Sequence, residues 1–598
     1  MDESIKCHRE ALVLFPAHHL NRSISLNNLA SALSTRFKQK GQLADLDESI
    51  KCHREALVLF PGPHPLRSTS LNNLASTLSA RFQQKGQLVD LEELIELHQE
   101  ALVLRPAPHP HRSDSLNNFA EALLTRFEHK GQLVDLEESI KCYQEALVLC
   151  PAPHPLRSAL LNNLASALSA RFQQKGQFMD LEKSIKFNRE ALVLSPAPHP
   201  NRCDSLNNLA SALSTRFLQK GQLVDLEESI VLFQEALVLL PAPHPDRSVS
   251  LNNLATALFV QFGHKSQLVD LEESMIHASD ASKYESASII NRFNYSRDWA
   301  YRAASVHHSS TMQAYQHTMN LLPHLASLDL NIQQRHEALS RAHGLACKAC
   351  HYAIEAHEFE SAVEFLSAGR AVFWAQALQL HTPFDELQSV APHLADKLQD
   401  ISHQLEMASA YDSFQPMHGN SEQVRNMERE AAHYRILNED WNHTLDEVRR
   451  LEGFEDFLQP KSINKLKQAS LNGPVVMLNA TTSGCDALIV MQDEVKHIPL
   501  PDISFEMTQT LHNMIQKALS SNGIRSVVDD DEFQRLLVQI HSDDCRKGKQ
   551  IPDPGNTPED LFEVVLRKLW LTVVCPVIHG LNLKVRHFNT FLIIFVLM

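Results

Sequence analysis

The chain has 598 residues, with 55 Lys and Arg against 71 Asp and Glu, and a formal net charge of −16. That balance excludes nucleic acid as the main partner, because phosphate backbones are held by positive surfaces. Apolar residues at 43% and charged residues at 21% exclude wholesale disorder, and 17 glycines exclude glycine-rich fibrous classes.

Met1-Asp2-Glu3-Ser4 is polar and acidic, so no secretory leader is expected. No stretch reaches the ~20 apolar residues of a membrane helix; the nearest, Phe591–Met598, is far too short. The 10 cysteines are scattered and fit a reduced chain better than a disulfide framework. The expectation is a cytoplasmic protein with no membrane partner, its oligomeric state left open.

A repeat decides the architecture. Leu-Asn-Asn begins at residues 26, 71, 116, 161, 206 and 251, each 45 residues after the last, and Gln-Leu or its variant follows at 42, 87, 132, 177, 222 and 267. Each unit predicts two helices. Leu71, Leu74, Ala75, Leu78 and Phe82 make one apolar stripe at helical spacing, ended by Gly86, a residue suited to the left-handed turn after a helix. The second helix is expected to open at Asp90 with Glu93 as a capping-box-like pair. The pair recurs as Asp45/Glu48, Asp135/Glu138, Asp225/Glu228 and Asp270/Glu273, and is broken at Asp180/Lys183. Leu91, Ile95, Ala101 and Leu102 form the stripe, and Pro106 stops it. One such hairpin cannot bury enough apolar surface to offset its chain entropy, so neighbours must stack into a solenoid.

The small–x6–Ala–x4–Pro spacing of Ser49, Ala56 and Pro61, with Leu71-x2-Leu74-Ala75, resembles the tetratricopeptide repeat (TPR). Leu94 departs from it, standing at the small-residue position of its unit. The 45-residue length, the Leu-Asn-Asn-Leu-Ala string and the His-Pro loop are similar to the kinesin-light-chain type of TPR, over residues 1–275. The resemblance implies a protein or peptide ligand in a concave groove walled by first helices. It places Asn28, Asn73, Asn118, Asn163, Asn208 and Asn253, the second of each Asn pair, where peptide backbones are contacted. An amide offers donor and acceptor together, which suits an extended peptide. The competing reading is that these amides bond between units and only hold the stack.

Arg36, Arg81, Arg126, Arg171 and Arg216 recur, as do Lys40, Lys85, Lys130, Lys175, Lys220 and Lys265. They read as cations at helix C-termini, or partners of the next helix's Glu residues, rather than as a stripe for an acidic ligand. The loop histidines His64, His109, His154, His199 and His244 lie one per unit, too far apart to converge on one ion, so no metal site and no cofactor are expected.

From about 277 the strict period fails and helical stripes continue over Ala303–Leu322, Arg335–Glu355 and Glu360–Leu380, with longer helices expected over Leu387–Ala408 and Glu422–Leu451. Cys347-x-x-Cys350 is a lone pair on a helix and reads as buried thiols. Pro474–Ala480, Cys485–Met491 and Val495–Leu500 read as strands, followed by helices near Phe505–Ser520 and Glu559–Val577 around an acidic loop, Val527–Pro558. The string Ala362-Val363-Glu364-Phe365-Leu366-Ser367-Ala368-Gly369-Arg370-Ala371 resembles the hairpin before a CHAT domain, a caspase-like peptidase fold, and Gly453–Leu500 is similar to the opening of CHAT in fungal TPR–CHAT proteins.

That family's chemistry implies a strand-end His and a strand-end Cys. Their Pro-x-Gly-x-Leu-x-x-x-Pro-x-His-like and Ser-Ala-Cys-like strings do not occur in this sequence. His541/Cys545, Cys575/His579 and Cys485 read as coincidences, so no catalytic residue is assigned and no peptidase activity is expected. Met1–Ile5 aligns with Leu46–Ile50, and the sequence after about Lys584 does not resemble CHAT; both ends are expected to be cut. The expected fold is mainly α. A TPR solenoid (1–276) leads into degenerate hairpins (277–380) and linking helices (381–452). An incomplete α/β caspase-like CHAT part (453–583) and an aberrant tail (584–598) follow.

Overall fold

A computed structural model describes residues 2–410, 436–520 and 558–581, apart from loop positions 17–18, 41–42, 61, 63, 86–87, 198, 200, 243, 245, 329, 331, 381–383 and 460–461. The chain forms two compact units, one reaching Ala314 and the other beginning at Tyr315.

In the first unit, α1 (Asp2–Leu14) precedes six helical hairpins. They are α2 (Leu20–Lys40) with α3 (Leu43–Leu59), α4 (Arg67–Lys85) with α5 (Leu88–Val103), and α6 (Arg112–Lys130) with α7 (Leu133–Leu149). Then come α8 (Arg157–Lys175) with α9 (Phe178–Leu194), α10 (Arg202–Lys220) with α11 (Leu223–Leu239), and α12 (Arg247–Lys265) with α13 (Leu268–Lys283). The predicted stripes are the core: Leu71, Leu74, Ala75, Leu78, Phe82, Leu91, Ile95 and Ala101 are all buried. One apolar cluster runs without a break from Ile50 to Leu168, so neighbouring hairpins share a core, as the entropy argument demands. At the small-residue position the Ser49, Ser139 and Ser274 hydroxyls donate to the Ala30, Ala120 and Ala255 carbonyls, at 2.8, 2.7 and 2.6 Å. A small side chain lets the two helices approach, and its hydroxyl satisfies a carbonyl at the crossing.

The turn chemistry is as expected where it is described. Gly131, Gly176 and Gly221 end α6, α8 and α10 at φ 68, 66 and 68°, and each donates its N–H back to a Phe carbonyl at 2.6–2.7 Å. Gly86 lies outside the described residues. The capping-box expectation is corrected. The second helices open two residues earlier, at Leu88 or Leu133, and Gln132 sits at the N-cap with no side-chain cap bond. Asp90 and Asp135 lie inside the first turn, buried, because Arg81 and Arg126 claim their carboxylates.

First helices approach their successors along one side: α2, α4, α6, α8 and α10 each come within 8 Å, Cα to Cα, of the next in line. Second helices do not approach each other so extensively. First helices therefore line the inside of the curve. α14 (Ile289–Ser305) comes within the same distance of α4, five hairpins earlier, so the array bends round on itself.

The stripe Ala303–Leu322 is two helices, α14 and α15 (Thr311–Leu325). His307 takes φ 52° and the His308 N–H bonds the Ala303 carbonyl at 2.9 Å, which closes α14. Arg335–Glu355 is likewise split, at Gly344 (φ 71°), into α16 (Ile332–Ser340) and α17 (Leu345–Glu355). Leu387–Ala408 breaks at Ala391-Pro392, since proline starts helices and does not continue them. Residues 436–448 are helical, and the earlier part of the predicted helix Glu422–Leu451 lies outside the described residues. α18 (Phe359–Leu380) falls where expected.

In the second unit, β1 (Val475–Thr481), β2 (Gly484–Val490) and β3 (Val495–Pro499) form an antiparallel meander. Asn479 is in register with Asp486. The three predicted strands are thus present within a residue or so. β2 is buried on both faces. Cys485, Ala487 and Ile489 pack into a cluster with Leu511, Met514 and Val565 of the helices Phe505–Ser520 and Pro558–Leu569. On the other face Asn479 donates to the Cys347 carbonyl of α17 at 3.0 Å. Double burial is why β2 reads as a continuous apolar run. The acidic loop and the tail after 581 lie outside the described residues.

Candidate functional site

Each first helix offers one line of side chains to the inside of the curve. In α8 it is Ala159, Asn163, Ser166 and Ala170, the half-buried positions between buried ones. Small and amide side chains dominate this wall, so the backbone of a ligand is free to approach.

The two Asn residues of each pair divide the alternatives between them. In three hairpins the first Asn holds the stack. Asn27, Asn72 and Asn162 donate through Nδ2 to Ser70, Ser115 and Ser205 of the next hairpin at 2.6, 3.0 and 2.8 Å. In the first two hairpins the same amide's Oδ1 accepts from His53 or His98 Nδ1, each at 2.9 Å. One amide thus ties both helices of its hairpin to the following one. Burial pushes the His53 and His98 imidazoles down to about 4, so both are neutral. These histidines were not singled out from the sequence, because the position holds Tyr143, Asn188 and Phe233 in later units.

The second Asn stands on the inner wall in all six units. Asn28 is exposed, and Asn73, Asn118, Asn163, Asn208 and Asn253 are half-buried. Asn163 donates to Asn117 Oδ1 at 2.9 Å, and Asn117 donates to Asn118 Oδ1 at 3.3 Å, a short chain of amides across one seam. The side chains of Asn28, Asn73, Asn208 and Asn253 make no hydrogen bond within the described residues.

The recurrent cations whose side chains are described are used up in the scaffold; the side chains of Lys40 and Lys85 lie outside the described residues. Arg36, Arg81, Arg126, Arg171 and Arg216 each make a two-pronged bond to Asp45, Asp90, Asp135, Asp180 and Asp225 at 2.6–2.9 Å. Their remaining nitrogen reaches an acid of the preceding second helix, as Arg126 does to Glu92 at 2.9 Å. Lys130, Lys175, Lys220 and Lys265 add to Glu92, Glu137, Glu182 and Glu227. The partners are therefore the previous second helix as well as the next one. The loop histidines are turn formers: His64, His109, His154, His199 and His244 each accept, through Nδ1, the backbone N–H two residues on, at 3.1–3.3 Å. The arginine that follows them, Arg67 for example, bonds the Leu57 and Phe60 carbonyls and Glu100, closing the previous second helix.

The third and fifth hairpins depart from this neutral wall. Glu121 replaces the Ser or Thr of other units, and Asp204 lies on the line of α10. Both are open to water yet surrounded by protein inside the curve, which raises both carboxyls above their ordinary range. Asp204 adds to the effect at Glu121, and Asp246 adds to it at Asp204.

In the second unit, Asp486 accepts from His497 Nε2 at 2.7 Å and lies 3.5 Å from His351 Nδ1. Burial opposes ionisation of Asp486, but the two imidazoles hold its carboxyl below the ordinary range; the Asp486 bond raises His351. Cys347 is half-buried and Cys350 buried. Burial pushes the Cys485 thiol up to about 11, the reverse of an activated nucleophile. Cys575 Sγ lies 3.4 Å from His579 Nδ1, but that nitrogen also lies 2.8 Å from the Cys575 carbonyl, the ordinary back-bond of helical spacing. His541 and Cys545 lie outside the described residues. Among the described residues no group of three His, Cys, Asp or Glu side chains is arranged to hold a metal ion, and no helix is long and apolar enough to cross a membrane.

Residues 24–65 and 67–111 match the tetratricopeptide repeat family. The chain therefore carries tetratricopeptide repeats in a mainly helical solenoid, an architecture that supports a protein-interaction scaffold. No curated protein matches the sequence. Among solved structures, a kinesin-light-chain-type protein of Podospora anserina with nearly identical TPR-like repeats is similar at 20% identity, over 36% of this chain and 96% of that one, with a TM-score of 0.27. MamA is similar at 12% identity over 35% of this chain and 93% of that one, with a TM-score of 0.24. The human IFIT1 dimer with PPP-AAAA is similar at 15% identity over 54% and 73%, with a TM-score of 0.30. At such scores these likenesses carry no functional argument.

Proposed function

We propose that the array is a protein-binding scaffold that takes an extended peptide along its inner wall, on the ladder Asn28, Asn73, Asn118, Asn163, Asn208 and Asn253. The observation that carries this reading is the split of the Asn pair. Structural duty falls on the first Asn in three hairpins, while four of the six second amides keep donor and acceptor free on the wall. Packed helices lie about 8–10 Å apart, and an extended chain advances about 3.3 Å per residue. Successive amides therefore suit backbone groups about three residues apart. The acidic departures Glu121 and Asp204 favour a ligand that is not itself acidic, and the net charge favours protein over nucleic acid.

We further read residues 453–583 as the opening of a CHAT-like domain, which makes the array the sensing half of a TPR–CHAT protein. The strand order and the helix after it support that reading. No peptidase activity is expected of this chain, and incubation with candidate peptides and a thiol-reactive probe tests it. Cleavage that vanishes with one Cys→Ala change refutes it.

The binding test compares the full chain with an Asn73→Ala/Asn118→Ala/Asn163→Ala variant in capture from a random peptide display library. Loss of enriched peptides in the variant, with helicity unchanged, is expected. Equal capture by both removes the amide ladder from the site.

A further inference from the structure

We propose that the array is a clamp, hinged inside the fourth hairpin between α8 and α9, whose mouth is the approach of α14 to α4. The first helices from α4 to α12 wall the curve, and α14 continues it: Arg302 donates to Thr256 and Asn252 of α12 at 3.0 and 3.2 Å. α14 then comes within 8 Å of α4, Cα to Cα, so six helices close a ring. The mouth lies opposite the step from α8 to α10, with three wall helices on either side. A hinge at that step swings two arms apart and opens the mouth. Admission of a ligand there rests on the peptide-binding reading above; the hinge is a property of the free chain.

Two independent observations put the hinge there. The first is the division of the core. The apolar cluster that begins at Ile50 takes in Leu160, Leu164, Ala167 and Leu168 of α8 and stops. A separate cluster holds Leu181 and Ile185 of α9 with the cores of α10, α11 and α12, and α8 joins it only through Phe172, at its turn end. Of α9 only the half-buried Phe187 reaches back to the first cluster. The second observation is a loss of polar ties at the same place. In the second hairpin Arg105 donates to Ser68 at 3.1 Å and His98 Nδ1 lies 2.9 Å from Asn72 Oδ1, which binds α5 to α4 at the end away from their turn. The fourth hairpin has Ser195 where Arg105 stands and Asn188 where His98 stands. Ser158 Oγ, Asn162 Oδ1, Asn188 Oδ1 and Ser195 Oγ are all buried there without a hydrogen bond. Among the first five hairpins it alone has small polar residues at both positions; the others bury His53 and Phe60, Tyr143 and Cys150, or Phe233 and Leu240. Among the described residues one side-chain hydrogen bond crosses the division at that end, from Asn162 to Ser205 at 2.8 Å. The turn end stays tied, by Arg171 to Asp180 and Ser169 to Ser184, each at 2.8 Å. α8 and α9 are thus pinned at the turn and loose at the far end, where opening gives water to four stranded groups.

Hydrogen exchange on the full chain at pH 7.5, without ligand, tests the hinge. Protection of residues 158–162 and 188–195 is expected to be lower than that of 68–72 and 98–105, on the order of tenfold or more. Asn188→His/Ser195→Arg installs the ties of the second hairpin and should close the gap. The converse change, His98→Asn/Arg105→Ser, should loosen 68–72 and 98–105, which keeps the test decisive if the first variant does not fold. Nitroxides carried on encoded azido residues at Val103 and Ile276, both exposed, report the mouth as a distance between α5 and α13. The wild-type distribution is expected to shift to shorter distances in Asn188→His/Ser195→Arg. Equal protection in the second and fourth hairpins overturns the hinge, as does a converse variant that leaves the second hairpin's protection unchanged. A spin–spin distance that the filled variant leaves unchanged overturns its coupling to the mouth.

Discussion

Acid should loosen the first two hairpins before the rest of the array. His53 and His98 are 1% and 3% exposed. Each donates from Nδ1 to an Asn oxygen, so protonation at the other ring nitrogen puts an uncompensated charge in the core. Burial lowers both from the ordinary 6.5 to about 4. The folded state thus disfavours the protonated form. The stabilisation is complete above 6.5, where the unfolded imidazole is also neutral, and is lost as pH falls from 6.5 towards 4. At pH 5 the linkage relation gives about 2 kcal/mol per histidine, about 4 kcal/mol for the pair. At 1.4 kcal/mol per tenfold, that is a fall in amide protection on the order of a thousandfold, if the two hairpins open together. Hydrogen exchange at pH 7.5 and pH 5, resolved by helix, measures it. The control is His53→Asn/His98→Asn, the residue found naturally as Asn188, compared at each pH so that intrinsic exchange cancels. Wild-type loss should be confined to α2–α5 and should be absent from the variant and from α8–α11. Equal acid sensitivity in all four hairpins, or in the variant, refutes the reasoning.

Arg81→Ala should destabilise its hairpin by roughly 3–5 kcal/mol, because it strands the carboxylate of Asp90, which is 3% exposed at the side chain; urea unfolding followed by hydrogen exchange reads the loss, and a change below about 1 kcal/mol contradicts it. Gly221→Ala should cost about 1 kcal/mol, from backbone alone, since the glycine sits at φ 68° with open space around it. The mirror change Ser266→Gly, at φ 55°, should raise the melting midpoint; a fall in that midpoint would show that the αL position is not what limits the turn. In the second unit, His351 is raised by Asp486, so its contribution is complete below its ordinary range and disappears as pH rises through its folded value. Asp486 is depressed, so its contribution is complete above the ordinary carboxylate range and disappears as pH falls. The link should be strongest in between, and Asp486→Asn should flatten the pH dependence of melting from pH 6 to 8; parallel slopes for wild type and variant would disprove the coupling.

The repeat made most of the first unit legible. A 45-residue period fixes the hairpins, and the buried stripe and terminal glycines follow from helical spacing and left-handed φ alone. What could not be read were choices between competing partners. Asp90 and Glu93 have the spacing of a capping box, yet Arg81, nine residues before Asp90, takes the carboxylate, because a two-pronged buried ion pair outcompetes a backbone amide that water can reach. The two asparagines of each pair are indistinguishable by composition. Their 100° separation on the helix sends one into the seam and the other onto the wall, and only packing says which. Ala303–Leu322 read as one helix because the apolar spacing survives the turn at His307, where left-handed φ is taken by a residue that does not announce it.

Identity among the units is itself informative once the bonds are known. Arg-to-Asp pairs and the loop arginine satisfy the same polar groups in unit after unit, so a change at any one leaves a buried partner unpaired. Where the scaffold does vary, the substitute keeps the bond: Gln261 stands for the arginine and still reaches Asp270 at 3.1 Å. Surface positions carry no such obligation. The departures at Glu121 and Asp204 on the inner wall, and at Glu96, Lys183 and Lys186 on the outer one, leave the scaffold's bonds untouched. They give individual hairpins a sign of charge and the array a direction. A ligand that must find one register among near-identical steps has such departures to read.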